Sequence, residues 1–277
     1  MRRREFKHAG IGGLDLQARA WLPEDEPRAV VVLAHGLGEH SGRYDWVGNA
    51  LVARHYALYA IDHRGHGRSA GPRANIGRFD HVVSDFATFA GRAAKQHPGR
   101  PLFLLGHSMG GAVAFVSAVR LQQTIQGLVL SAPALAVDEK SVPSWQRAFA
   151  AVLSAVAPNV GVLRLDATAV SRDPQVVREY ESDPLVHHGG IPARTMVELL
   201  SAVRGLATVA PKLQLPTLIL HGMADRLVPL APTLAVHRAI GSARRTLKLY
   251  PGLYHELFNE PERGQVMSDL LGWLDAR

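Results

Sequence analysis

The stretch "LLGHSMGGA" (residues 104–112) sets Ser108 between Gly106 and Gly110 in a G-x-S-x-G arrangement, with Gly111 directly after. A serine hydroxyl alone is a poor nucleophile; it needs a neighbouring base and an acid that orients that base. The glycines permit a turn so tight that a Cβ there would strike adjacent backbone, which leaves the hydroxyl at the tip. The helix start behind it supplies backbone N–H groups and a positive dipole end, where the oxyanion of acyl transfer would form. G-x-S-x-G alone is common by chance. Here an apolar run, "PLFLL" (101–105), precedes it and a helical one, "AVAFVSAV" (112–119), follows, which is the strand–turn–helix setting this chemistry requires. No G-x-G-x-x-G or phosphate-loop lysine supports a nucleotide site instead.

Five histidines follow the serine: His187, His188, His221, His237 and His255. His237 sits in a helical surface pattern, "PTLAVHRAIG", and reads as a solvated helix residue. His187 and His188 fall in a segment without strands, and His221 ends a strand as a packing residue. His255 follows the last strand by a short loop containing Pro251 and Gly252, so its imidazole can swing over the serine turn. It is the candidate base. Asp225, just past "TLILHG" (217–222), is the acid that would fix its tautomer; Asp166, Asp173, Asp183 and Asp269 lie elsewhere. The second oxyanion donor is the backbone N–H of Leu37 in "HGLG" (35–38), beside that of Met109. His35 and the segment "DHRGHGRS" (62–69) read as struts and turns rather than proton carriers.

Such groups work only at the carboxyl ends of parallel strands, so the order of elements matters. Strand patterns run over 14–23, 29–36, 56–63, 101–107, 127–133, 217–222 and 245–251. Helical patterns alternate with them over 44–55, 81–97, 110–123 and 262–276. This is the rhythm of βαβ units and a largely parallel sheet. It breaks once, over 134–212, where helical patterns dominate and no buried strand is visible. One core, 1–133 with 213–277, therefore carries one helical insertion that caps it.

Composition narrows the classes further. The 277 residues are 47% apolar and 20% charged, ordinary for a globular protein. Without cysteine there is no disulfide, zinc-thiolate or thiol nucleophile. The basic "MRRR" start has no apolar stretch behind it, so it does not read as a signal peptide. The longest apolar stretch, "AFAAVLSAVA" (148–157), is too short to span a bilayer, which points to the cytoplasm, with peripheral contact at a membrane. A net charge of +7 invites a nucleic-acid reading, but the arginines are scattered and no aromatic–basic platform exists to stack bases. The chemistry needs no metal or cofactor.

Together, "HGLGEHSGRY", "DHRGHGRS", "GHSMGG", "HGMADRLVP" and "YPGLYHELFNEP" resemble the monoacylglycerol lipases of the α/β-hydrolase superfamily, bacterial type. "SRDPQVVREYESDPLV" (171–186) is similar to that family's cap. The resemblance implies an α/β-hydrolase fold: a mostly parallel eight-stranded sheet flanked by helices, with a helical cap inserted. It implies a triad of Ser108, Asp225 and His255, and a fatty monoester of glycerol as substrate. It also implies that Glu39 and Arg43 hold the glycerol end, against a plainer reading in which their ion pair only stiffens the loop. The residues themselves stop at acyl transfer. A lysophospholipase, a general carboxylesterase and a catalytically silent lipid-binding protein of the same fold stay open, whereas dehalogenase and epoxide hydrolase chemistry would need a carboxylate at Ser108. The apolar insertion, "WQRAFAAVLSAVAPNVGVL" (145–163), favours an acyl chain and contact with lipid.

Overall fold

The computed structural model describes residues 1–135 and 151–277. The first part of the apolar stretch expected to be helical over 144–157 lies outside the described residues, and 151–156 are helical. The first six strands are β1 (Arg2–Ala9), β2 (Asp15–Leu22), β3 (Ala29–Ala34), β4 (Tyr56–Ile61), β5 (Leu102–His107) and β6 (Gly127–Ser131). An insertion follows with a small antiparallel ribbon, β7 (Gly161–Leu163) against β8 (Ile191–Pro192). β9 (Thr217–Gly222) and β10 (Arg245–Tyr250) complete the sheet. Its order is β1-β2-β4-β3-β5-β6-β9-β10; β2 is antiparallel to both neighbours and the other pairings are parallel.

Every residue of β3, β4, β5, β6 and β9 is buried, because helices cover both faces. Alternation along β3 divides the core. Val30, Val32 and Ala34 join the face packed by α2 (Phe79–Gln96) and α3 (Met109–Leu121), with Phe86, Phe89 and Phe115. Ala29, Val31 and Leu33 join the face packed by α1 (Asp45–Val52) and the last helix, Arg263–Asp275, with Trp21, Leu51 and Trp273.

The eighth strand is β1, which the apolar pattern does not reveal. It pairs with β2 over its whole length yet is almost entirely exposed. Arg2, Arg3, Arg4 and Lys7 suit a sheet edge, where charge discourages pairing with another chain. The β7–β8 ribbon escapes the pattern too, since β7 is only three exposed residues.

β5 lies near the middle of the sheet, with Ala34 of β3 level with Gly106 and Ser131 of β6 level with His107. The loops after β3, β5, β9 and β10 thus share one rim, and the insertion is tied back to the same side. Thr195 Oγ1 donates to the Ala74 carbonyl and accepts from the Ile76 N–H; the His187 N–H reaches the Gly38 carbonyl at 2.8 Å.

Candidate active site

At the end of β5 the chain turns into α3 through Ser108, whose φ of 53° and ψ of −121° are strained for a residue with a side chain. The neighbouring glycines explain how the turn fits. A Cβ on Gly106 would run into the Gly110 carbonyl, and one on Gly110 into the carbonyls of Ala34 and His35. Ser108 is only half-buried and heads α3 without capping it. Among the described residues, neither the Met109 N–H nor the Leu37 N–H is used by another protein group.

Asp225 and His255 arrive from the loops after β9 and β10. Protonated His255 Nδ1 donates to Asp225 Oδ2 at 2.8 Å, while Asp225 Oδ1 accepts from the N–H groups of Leu227 and Val228 at 2.8 and 2.9 Å. Burial alone would raise the Asp225 pKa; the His255 hydrogen bond and those two backbone donors outweigh it and lower it. An ionised, fully bonded carboxylate fixes the ring and leaves Nε2 as the basic nitrogen. His221, fully buried, bonds the Val228 carbonyl through Nε2 at 3.1 Å and packs behind Asp225, as expected of a packing residue. His237 is half-buried rather than solvated, and its Nε2 is enclosed.

Ser108, Met109, His255, Gly36, Leu37 and Glu39 line one side of a cavity of about 440 Å³. Leu163, Leu165, Val170, Met196, Leu199 and Leu227 line much of the rest, all but Leu227 from residues 134–212. Arg43 is not on that wall. It lies behind it, its guanidinium gripping both oxygens of Glu256 (Nη2 to Oε2 at 2.7 Å) and reaching Glu39 Oε2 at 3.2 Å. Glu39 Oε1 accepts from the Gly36 N–H at 2.6 Å and the Tyr44 hydroxyl at 2.8 Å. Burial opposes the charge on Glu39, but Arg43, His107, His35 and the Gly36 N–H prevail and bring its pKa down to about 2.

The supporting residues behave as struts. His35 Nε2 accepts from the His63 N–H at 2.9 Å, so its proton sits on Nδ1, facing the Gly36 carbonyl at 2.7 Å. Asp62 accepts from the Ser41 and Arg68 N–H groups. Residue types alone missed three neighbours. Glu256 follows the candidate base and lines the cavity; its partner Arg43 is 213 positions away. Tyr180 stacks under Arg43 at 4.8 Å. His107, with its ring 4.7 Å from that of His255, is made less basic by burial and by His255, to about 4.

The family model described as serine aminopeptidase S33 matches residues 25–262. The monoacylglycerol lipase of Mycolicibacterium smegmatis is 43% identical over 98% of this chain and 97% of its own. The monoacylglycerol lipase of Paleococcus ferrophilus superposes with a TM-score of 0.82 at 32% identity, covering 94% of this chain and 98% of that one. The chain belongs to the monoacylglycerol lipase family of α/β-hydrolases. The monoglyceride lipase of Homo sapiens is a more distant member, 36% identical over 96% of this chain and 88% of its own. As a member of this family the chain is a carboxylic ester hydrolase of the serine type.

Proposed function

We propose that this chain hydrolyses monoacylglycerols to fatty acid and glycerol through an acyl-enzyme on Ser108. Ser108 Oγ attacks the ester carbonyl as His255 Nε2 takes its proton, and the oxyanion accepts hydrogen bonds from the Leu37 and Met109 N–H groups. The imidazolium, held by Asp225, then gives that proton to the departing glycerol oxygen. Water repeats the sequence on the acyl carbonyl and releases the fatty acid, leaving serine and imidazole as they began.

One observation carries this reading: the His255–Asp225 pair, at 2.8 Å, opens onto the same largely apolar cavity as the strained Ser108 turn. The relatives' names supply the alcohol. Of roughly four acceptor positions on a carboxylate, Glu39 has three filled, by Gly36, Tyr44 and Arg43. The fourth accepts a glycerol hydroxyl in our reading, with Arg43 acting from behind. Residues 134–212 form the cap over a core of 1–133 and 213–277. Val152 and Val156, 58% and 73% exposed on helical residues 151–156, support contact with a lipid surface. No described helix is long and apolar enough to cross a membrane.

The test is a substrate panel: monoacyl, diacyl and triacyl glycerols, a lysophospholipid, and the methyl ester of the same fatty acid. Fastest turnover of monoacylglycerol, lost in Ser108→Ala, is the expected result. Preference for the lysophospholipid, or equal rates on all monoesters, would replace this reading with the lysophospholipase or general esterase one.

A further inference from the structure

Arg43 lies behind two carboxylates that line the cavity, Glu39 and Glu256, and a glycerol contact at Glu39 does not explain why it joins them. Arg43 is 11% exposed at its side chain, and its two carboxylate partners, Glu39 and Glu256, are 4% and 6% exposed. The partners come from the two loops that matter most. Glu39 accepts the Gly36 N–H, one residue before the oxyanion donor Leu37. Glu256 is the residue after His255; its own N–H is held by the Val170 carbonyl at 2.8 Å and its Oε2 by Asn259 at 2.8 Å. These loops leave β3 and β10, which are separated by β5, β6 and β9 in the sheet. Arg43 spans the gap, and Tyr180 of the insertion covers its guanidinium.

We propose that Arg43 is a positioning residue that locks the oxyanion loop, through Glu39, to the segment carrying His255, through Glu256. A fork-to-fork pair fixes both distance and plane, which a point charge cannot do. Arg43 thus sets how far the Leu37 N–H lies from the imidazole on the opposite side of the reacting carbonyl. The inference rests on the reaction proposed above, but it concerns any acyl group on Ser108, whatever the alcohol.

The experiment therefore uses substrates without glycerol. Arg43→Lys, Arg43→Gln, Glu256→Gln and the Arg43→Gln/Glu256→Gln double variant are compared with wild type. The readouts are kcat and KM for a fatty acid methyl ester, and the rate at which a fluorophosphonate labels Ser108. Rates are expressed per labelled serine, so that misfolded protein does not count. Arg43→Gln is expected to lower kcat and the labelling rate by about ten- to a hundredfold, the scale of a displaced oxyanion donor. KM should stay within about twofold, since uniform binding is untouched. Arg43→Lys should fall between the two, and the double variant should be no worse than the poorer single one, as for residues acting through one link. Should Arg43→Gln fail to fold, Arg43→Lys and Glu256→Gln carry the test. Wild-type kcat per labelled serine would reduce Arg43 to a folding role. Unchanged methyl-ester kinetics with a raised KM for monoacylglycerol would make it a glycerol-site residue, and either result overturns the proposal. A wild-type enzyme that neither labels nor turns over would instead overturn the reaction itself.

Discussion

On one side of the cavity, the side chains of Glu39, Glu256, Asp225 and His255 are buried; each carboxylate is held by two or more hydrogen-bond partners, and His255 by Asp225. On the other, Leu163, Leu165, Met196 and Leu199 of the insertion offer only apolar surface. The first wall is directional: a buried carboxylate that loses its partner leaves a bare charge, so each group has one tolerated place. The second wall is not. Apolar contact adds about 0.8 kcal/mol for each buried methylene wherever it lies, so in the proposed reaction this wall would take acyl chains of different length and bend. In the proposed reaction, chemistry that must position atoms within tenths of an ångström sits on loops at the rim of the sheet, and binding that must forgive variety sits on the insertion.

The largest expected effect breaks the directional wall at its centre. Ser108→Ala should fold, because the turn remains, and lose roughly three or more orders of magnitude in kcat. Adding His255→Ala or Asp225→Asn should not multiply the loss, since the three would act as a unit. Steady-state kinetics on one monoacylglycerol checks both statements, and multiplying losses would show that the residues work separately.

Next in size is Glu39→Ala. The Gly36 N–H loses its acceptor beside Leu37, so the methyl ester and the monoacylglycerol should both slow. Monoacylglycerol should lose about tenfold more, because one hydroxyl is left unpaired, a penalty of about 1–3 kcal/mol. An untouched methyl ester would contradict the loop-bracing role; equal losses would remove the glycerol contact.

Buried titratable groups should also make the folded chain lose stability in acid. Burial, and then His35, push His66 down to about 3, while the unfolded imidazole titrates near 6.5. Below 6.5 the unfolded chain therefore takes up a proton that the folded chain refuses, and stability falls as pH drops toward 3. Glu39 adds to this lower down: its pKa is about 2 against 4.5, so the stability it contributes above 4.5 is lost between 4.5 and 2. Urea unfolding at pH 7, 6, 5 and 4 should show stability falling, and His66→Asn should remove about 1.4 kcal/mol per pH unit from the slope near pH 5. A slope unchanged in that variant would mean His66 is protonated in the fold.

The smallest effect belongs to the insertion. Val152→Ser with Val156→Ser should weaken retention on anionic vesicles a few-fold, with turnover of a short soluble ester nearly unchanged. Flotation with vesicles measures it; equal loss of both would show that these side chains support the fold rather than meet lipid.

Much of this division was legible in residue order. β3, β5 and β9 announce themselves because strands buried on both faces carry unbroken apolar runs, and the loops behind them hold Ser108 and Asp225. β1 was not legible, since an edge strand of Arg2, Arg3 and Arg4 has no apolar face to show. Glu256 was hidden for another reason. It stood in the quoted "YHELFNEP", but nothing near it in sequence says that a carboxylate there meets Arg43. Side-chain pairs between distant loops leave no periodicity. The resemblance implies a glycerol role for Arg43, whereas its guanidinium lies off the cavity wall, paired with Glu256.

In the proposed reaction, turnover of monoacylglycerol runs through Ser108 as base-activated nucleophile. It is tested most directly by titrating the wild-type enzyme with a fluorophosphonate while following hydrolysis of 1-monooleoylglycerol, then mapping the adduct by peptide mass spectrometry. One phosphonyl group per chain is expected, located on Ser108, with activity falling in strict proportion to labelling and no labelling in Ser108→Ala or His255→Ala. Hydrolysis that persists after Ser108 is fully labelled, or an adduct on a different residue that tracks the loss of activity, would contradict it.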